Sequence, residues 1–335
     1  MLPLIEAGAD EFFCGIFERD WTQEYSHLGG PNRRYCPHGS FGGTQAFKEA
    51  VRTASEQSAG ISLALNESYS QPQLDWVLEQ IRQLAGSGLK SCIVADPGLI
   101  HVLRKEFSGD FEIHLSLLSG VLNSDGAKLY RDLGVSRVIL PRHLALAEIA
   151  TLVRKVPDLD FEILVMNTRC KNVDAFCTFQ HGLGVGKWFS LMDLRATSLA
   201  KAIVNQLPLR VSEKIDHRMM RASFGCCLDY DISPLSGASE DWHKRWTKPV
   251  QESLSKSLQA CGLCNLGDLR NAGVSYLKIA GREYSLSRKL QAVRMVKQGL
   301  AVLETQSPEE HESKMRRIYQ NHYGNDCERR YCYYA

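Results

Sequence analysis

No run in this chain reaches the ~18 consecutive apolar residues that a membrane-spanning helix needs, so no helix is expected to cross a bilayer. The first residues, Met1-Leu-Pro-Leu-Ile-Glu-Ala-Gly8, carry neither a basic start nor a long apolar stretch. That argues against a secretory signal and for a cytoplasmic protein. An excess of one charge is missing as well. The 40 Lys and Arg against 38 Asp and Glu leave a formal net charge of +2, and such a balance names no partner. There is no Walker loop, no GxGxxG between a strand and a helix, no HExxH and no GxSxG. Each of those motifs carries a mechanism. Their absence leaves nucleotide hydrolysis, dinucleotide redox chemistry, HExxH-type zinc proteolysis and a Ser/His/Asp nucleophile without support.

Cysteine is over-supplied, with 11 in 335 residues. In a reducing compartment these thiols are not read as disulfides. Cys14 and Cys92 sit in apolar, strand-like runs and are expected to be inert core residues. The others lie in polar or turn-rich sequence: Cys36, the pair Cys170 and Cys177, the doublet Cys226-Cys227, the pair Cys261 and Cys264, and the pair Cys327 and Cys332. These call for another role.

Seven β-like runs recur, Glu11–Ile16, Ile61–Asn66, Ser91–Asp96, Glu112–Leu118, Arg137–Pro141, Phe161–Asn167 and Tyr276–Ala280. Amphipathic segments separate the first six. The runs are apolar throughout rather than alternating, as in a parallel sheet buried on both faces. From the third run to the sixth they repeat every ~20–25 residues, the size of a βα unit. The expected fold is an α/β, TIM-like (β/α) barrel, with a doubly wound open sheet as the runner-up. A long Cys-rich insertion interrupts the alternation before the last strand. The expected division is 1–167 for the barrel units, 168–260 for an insertion over the barrel mouth, 261–306 for the last αβ unit and a closing helix, and 307–335 for a C-terminal helix and Cys-containing tail.

Two thiol pairs on neighbouring barrel loops, Cys170-x6-Cys177 and Cys261-x2-Cys264, can converge on one metal centre. Thiolate ligation suits zinc or an iron–sulfur cluster. Structural zinc favours pairs ~2–4 residues apart, and the wider x6 loop favours a 4Fe–4S cluster. Cys226 and Cys227 compete for a place in the set. Cys327-x4-Cys332 is either a further ligand pair or packing on the barrel.

Asn66, Asp96, Arg142, His143 and Asn167 end strands, so they point towards the mouth. Asp96-Pro-Gly98 also reads as a helix cap. An arginine at a strand end suits an anionic substrate group, and Arg142 and Arg282 are the candidates. The expected substrate-binding set is Asn66, Arg142, His143, His181 and Arg282. His114, inside a strand, is expected to be a satisfied core histidine. A basic segment, Arg210, Lys214, His217, Arg218 and Arg221, offers phosphate contacts. Glu213 and Asp216 interrupt it, so nucleic-acid binding has weak support and a solvated helix face is the plainer reading.

Gly273-Val-Ser-Tyr-Leu-Lys-Ile-Ala-Gly281-Arg282 resembles the AGVxSLKIxGR segment of the U32 peptidase family, the collagenase-like proteases. Ala7-Gly-Ala-Asp-Glu-Phe-Phe-Cys-Gly15, Val94-Ala-Asp-Pro-Gly98, Glu112-Ile-His-Leu-Ser116 and Arg137-Val-Ile-Leu-Pro-Arg142 resemble further family segments in the same order. The resemblance implies a TIM-like barrel with an iron–sulfur site. It also implies relatives that hydroxylate ubiquinone precursors or RNA bases without oxygen. Cys170 and Cys177 match the family's Cys-x6-Cys ligand pair. By the same resemblance the third ligand falls at Cys227 or Cys226, and the fourth at Cys264 or Cys261. The chain departs from the pattern at Asp174-Ala-Phe-Cys177, where the family carries SGRC, and in a more distant third ligand.

The function expected from this is oxygen-independent hydroxylation, or a related redox modification, of a small molecule, peptide or RNA base, served by an electron donor or partner protein. One alternative is a peptidase acting on collagen-like peptides. Another is a non-catalytic iron–sulfur subunit of a complex. Finally, seven runs fall one short of the eight strands of a closed barrel. The family's opening strand has no counterpart before Glu11. A gap or distorted seam is therefore expected between Glu11–Ile16 and Tyr276–Ala280, with an upstream start as the favoured cause.

Overall fold

The computed structural model describes residues 1–25, 30–33, 39–107, 109, 111–167, 173–176, 203, 211, 259–305, 308–324, 326–327 and 332–334. All seven apolar runs become strands. In chain order the strands are β1 (Glu11–Ile16), β2 (Ser40–Phe41), β3 (Gly60–Leu65), β4 (Ser91–Val94), β5 (Glu112–Leu115), β6 (Arg137–Ile139), β7 (Asp160–Asn167), β8 (Ala260–Cys261) and β9 (Tyr276–Ile279). They form one sheet in the order β2-β1-β3-β4-β5-β6-β7-β8, and β9 also pairs with β7. Every pairing is parallel except that of β7 with β8.

The helices are α1 (Leu2–Glu6), α2 (Arg19–Glu24), α3 (Thr44–Glu56), α4 (Gln71–Ala85), α5 (Pro97–Glu106), α6 (Ser124–Asp132), α7 (Leu146–Lys155), α8 (Leu266–Asn271), α9 (Leu286–Thr305) and α10 (Pro308–Tyr323). Their apolar stripes cover the outer face of the sheet. Phe47 and Val51 of α3, Val77 and Ile81 of α4, Leu99 and Leu103 of α5, and Ile149 and Leu152 of α7 are buried with Leu63, Cys92, Ile113, Val138 and Phe161 of the strands. Truncating one such leucine to alanine costs ~2–5 kcal/mol. Asp96 is a helix cap, as its Asp-Pro-Gly setting suggests. Its Oδ1 accepts from the Gly98 and Leu99 amides at 2.6 and 3.2 Å, and its Oδ2 accepts from Tyr69 N–H at 2.9 Å.

The architecture is an α/β, TIM-like curl of parallel strands with alternating helices. Among the described residues no hydrogen-bonded pairing joins β1 to β9: β1 pairs with β2 and β3, and β9 with β7. The seam expected between them is therefore present. Two details differ from the sequence reading. The boundary drawn between 260 and 261 cuts through β8, because Met166 and Asn167 of β7 pair with Cys261 and Ala260. The strands from β3 to β6 stop one to three residues short of their apolar runs, because the chain turns into loops and caps at the rim. The unit around Cys261 forms as its sequence dictates. Leu266 and Leu269 bury one face of α8, and Gly273 ends it at φ +88°, a conformation glycine adopts without strain.

Candidate functional site at the strand carboxyl ends

In a parallel strand successive side chains alternate between faces. The inward positions of β1, β5, β6, β7 and β9 place Glu11 and Phe13, Glu112 and His114, Arg137, Glu162, and Tyr276 and Lys278 inside the curl. Low in the curl these form an ion network. Arg137 bonds Glu11 at 2.6 and 3.0 Å and Glu162 at 3.4 Å, and its guanidinium lies 3.3 Å over the Tyr276 ring. Lys278 bonds Glu162 at 2.5 Å and stands 3.9 Å from the Phe13 ring centre. Burial pushes the Glu162 carboxyl up, but Lys278 and Arg137 outweigh it and hold the group below its ordinary value. His114 is buried and bonds Glu112 at 2.8 Å, the satisfied core histidine that its position suggested. Hydrogen-bonding to His114 likewise holds Glu112 below its usual range.

The mouth lies above this floor. Asn66 closes β3 there. Its Oδ1 is buried and accepts no hydrogen bond among the described residues, and the same holds for Asn32 Oδ1 and Glu67 Oε2. The three belong to one side of the mouth: Tyr69, two residues beyond Glu67, donates to the Pro31 carbonyl at 2.5 Å, and the Arg33 charge acts on Glu67. Burial is the main cause that raises the Glu67 carboxyl above its ordinary value. Buried acceptors without donors are rare. Here they form a set able to receive N–H or O–H groups from a bound molecule. Sequence position singled out Asn66. Asn32 and Glu67 were missed, because neither ends a strand.

Arg142 and His143 follow β6. His143 is exposed, and Arg142 is the one that turns inward. The Arg142 guanidinium, read from sequence as an anion receptor, has an internal carboxylate. Its Nε and Nη2 bond Asp174 at 3.0 and 2.5 Å, and its backbone N–H bonds Asp174 at 2.8 Å. Asp174 is only 3% exposed and lies between Cys170 and Cys177. Ala175 takes a left-handed φ of +75°, and a Cβ placed on Gly120 would come within 2.8 Å of its methyl group. Arg142 and Gly120 thus hold the middle of the Cys-x6-Cys loop. Arg282, from the LKIxGR-like segment, stands 5.9 Å from the Phe13 ring centre and packs on Gly39.

Asn167 ends β7 at φ +71° and is fully buried. Its Nδ2 donates to the Ala280 carbonyl at 2.8 Å, which ties β7 to the end of β9. Beside it, Cys261 and Cys264 meet the tail. Cys332 is a parallel bridge partner of Cys261. Burial first, then the neighbouring thiols Cys264 and Cys332, push the Cys261 thiol up to about 12. Burial and Cys332 push Cys264 up to about 11. A hydrogen bond with Cys332, then burial, raises Cys327 further still. Thiols raised in this way stay protonated, so a metal would have to displace their protons, and among the described residues no three His, Cys, Asp or Glu side chains stand together as a metal-holding group. Cys14 is half-buried and donates to the Gly39 carbonyl at 3.0 Å, and Cys92 is fully buried. Cys170, Cys177, His181, Cys226 and Cys227 lie outside the described residues.

A family model described as peptidase family U32 matches residues 1–187. Among curated proteins, tRNA hydroxylation protein P of Escherichia coli (strain K12) is 26% identical over 151 residues, which are 41% of this chain and 33% of that protein. The protein of the same name from Helicobacter pylori (strain J99 / ATCC 700824) is 29% identical over 126 residues, 38% of this chain and 30% of that protein. For tRNA hydroxylation protein P1 of Bacillus subtilis (strain 168) the identity is 25% over 137 residues, 41% of this chain and 32% of that protein. The matched part thus spans about a third of the length of these curated relatives. Among solved structures, the U32 peptidase Mk0906 aligns with a TM-score of 0.36 and 14% identity, over 47% of this chain and 69% of that one. The family model covers more than half of the 335 residues, and the chain belongs to peptidase family U32.

Proposed function

We propose that this chain takes part in oxygen-independent hydroxylation of a tRNA base, in the cytoplasm, with a 4Fe–4S cluster and an external electron donor. The observation that carries the reading is the match to curated relatives named for tRNA hydroxylation. The mouth supports it: Asn32, Asn66 and Glu67 present buried acceptors, which suit the N–H edge of an extruded base. Cys170 and Cys177 are the first two cluster ligands, and the other two come from Cys226, Cys227, Cys261 and Cys264. When bound, the cluster supplies electron transfer.

The remaining work falls to side chains of the chain itself. Asn66 and Glu67 orient the base by accepting its N–H groups, and the raised Glu67 carboxyl can also hold a proton there. Arg282 meets a backbone phosphate at the rim, and the exposed His143 stands where the flanking strand passes. Arg142 acts through Asp174 and fixes residues 173–176, which lie in sequence between the proposed ligands Cys170 and Cys177.

The test is anaerobic purification, an absorption and EPR spectrum, and incubation with tRNA and a reductant, followed by mass spectrometry of the nucleosides. The expected result is a brown protein that yields a hydroxylated base, with Asn66→Ala losing at least tenfold in yield while keeping its colour. A colourless protein that leaves tRNA unchanged and cleaves a collagen-like peptide overturns the reading.

A further inference from the structure

One aromatic ring on the rim takes no part in the core. Phe176 is 72% exposed, and among the described residues it is the only exposed aromatic side chain. Its backbone is nonetheless fixed. Asp174 is buried and accepts from both the backbone N–H and the guanidinium of Arg142. Ala175 is left-handed, and its methyl group leaves no room for a Cβ on Gly120. Phe176 N–H donates to the Val173 carbonyl at 3.3 Å and closes the turn. Arg142 follows β6 and Gly120 follows β5, so the turn sits at the carboxyl ends of these two strands. Asn66 follows β3 on the same rim. Neighbouring strands lie ~4.8 Å apart, so two spacings put the ends of β3 and β5 on the order of 10 Å from each other. That is the reach of an adjoining nucleotide rather than of a base seated at Asn66 itself.

We propose that Phe176 is a stacking platform for the base next to the one taken into the mouth. The inference rests on the tRNA reading and extends it to the flanking nucleotide. A target base splayed out to reach Asn66 leaves its neighbour with one flat face unstacked. An exposed phenyl ring replaces the lost partner. Such stacking tolerates any sequence and is worth roughly fivefold to 150-fold in affinity. The fixed turn lowers the ordering cost, since only the two side-chain torsions of the ring remain to be frozen. The apolar side chains nearest in the two loops, Val173 and Leu122, are 48% and 39% exposed. With Phe176 they make a face far short of the ~800 Å² per partner of a stable protein interface, but ample for one base. The family pattern has arginine at this place in SGRC, where this chain has Phe176. A guanidinium plane and a phenyl ring can both carry a base, and only the guanidinium adds a phosphate contact. This chain keeps the flat surface and gives up the charge.

Binding of unfractionated tRNA carrying a terminal fluorophore is measured by anisotropy over a range of salt concentrations, with the full chain purified anaerobically. Phe176→Ala should weaken binding at least about fivefold at every salt concentration. The slope of log Kd against log salt should stay unchanged, because no phosphate contact is lost. Phe176→Trp should bind within about twofold of the wild type. Phe176→Leu keeps an apolar side chain without a flat face, and should bind like Phe176→Ala. Phe176→Arg should restore the affinity and steepen the slope by ~1. Urea midpoints check that each variant is folded. Wild-type affinity in folded Phe176→Ala or Phe176→Leu overturns the platform and leaves the tRNA reading intact. A wild type that binds no tRNA overturns both. An electron-donor protein, the other candidate occupant, has its own outcome. If Phe176→Ala binds tRNA normally and loses turnover with reduced ferredoxin but not with dithionite, the ring serves donor docking and the platform is overturned.

Discussion

An arginine at a strand end normally waits for a ligand. Arg142 has Asp174, and the pair is nearly enclosed. Removing one partner of such a pair leaves a buried charge, at a cost of ~3–5 kcal/mol, whereas removing both costs far less. We expect Arg142→Ala to lower the urea midpoint markedly and Arg142→Ala/Asp174→Ala to recover most of the loss. Additive losses would show that the two groups are not coupled. The neighbouring Ala175 gives a second handle. A left-handed backbone costs a non-glycine residue ~1–2 kcal/mol, and the family pattern has glycine at this place in SGRC. Ala175→Gly should therefore raise stability, by up to ~1 kcal/mol once the extra freedom of the unfolded chain is counted. A drop in the urea midpoint would mean that the methyl contact with Gly120 outweighs the strain. Neither feature was legible in the sequence. Asp174 stands 32 residues from Arg142, and a φ value leaves no mark on composition.

Among the elements, β7 is the hub: it pairs with β6, β8 and β9. Its end is set by Asn167, whose side chain holds the Ala280 carbonyl while its backbone stays left-handed. Asparagine tolerates that conformation better than most residues. Asn167→Ala loses both the hydrogen bond and the tolerance, whereas Asn167→Gly loses the hydrogen bond alone. The glycine variant should be the more stable of the two by ~1 kcal/mol, as read from urea midpoints. Equal stabilities would show that the left-handed turn contributes nothing. The longer elements were legible because four or more apolar residues in a row leave a pattern. β2 and β8, with two residues each, leave none. They exist only because β1 and β7 offer a free edge there. The thiol pairs were legible by their spacing. The meeting of Cys261 with Cys332 was not, since it depends on α9 and α10 returning the chain to β7.

At the scale of the whole molecule, the open seam raises the question of what keeps β1 in place opposite β9. Among the described residues backbone pairing does not, since β1 pairs with β2 and β3. The ion network inside the curl does so instead. Arg137 reaches from β6 to Glu11 of β1, and Glu162 of β7 joins it to Lys278 of β9. Glu11 is 40% exposed, so its pair is screened and weak, whereas Glu162, Lys278 and Arg137 are all below 10%. Glu162 reaches β1 through the two cations it holds in place: Arg137, which bonds Glu11, and Lys278, which stands 3.9 Å from the Phe13 ring centre. Glu162→Gln keeps the shape but leaves Lys278 without a buried counter-charge, which should cost ~3–5 kcal/mol. The pH dependence has a definite sign. The folded-state value of Glu162 lies below its unfolded one. Its contribution is therefore fully present above the ordinary carboxylate range and is lost as pH falls through the lowered value. Wild-type stability should fall over that window, while the Glu162→Gln curve starts lower and falls less steeply. Urea midpoints measured from neutral pH down to the carboxylate range decide it. Parallel curves would mean that Glu162 titrates alike in both states and that the seam is held by packing on Phe13 instead.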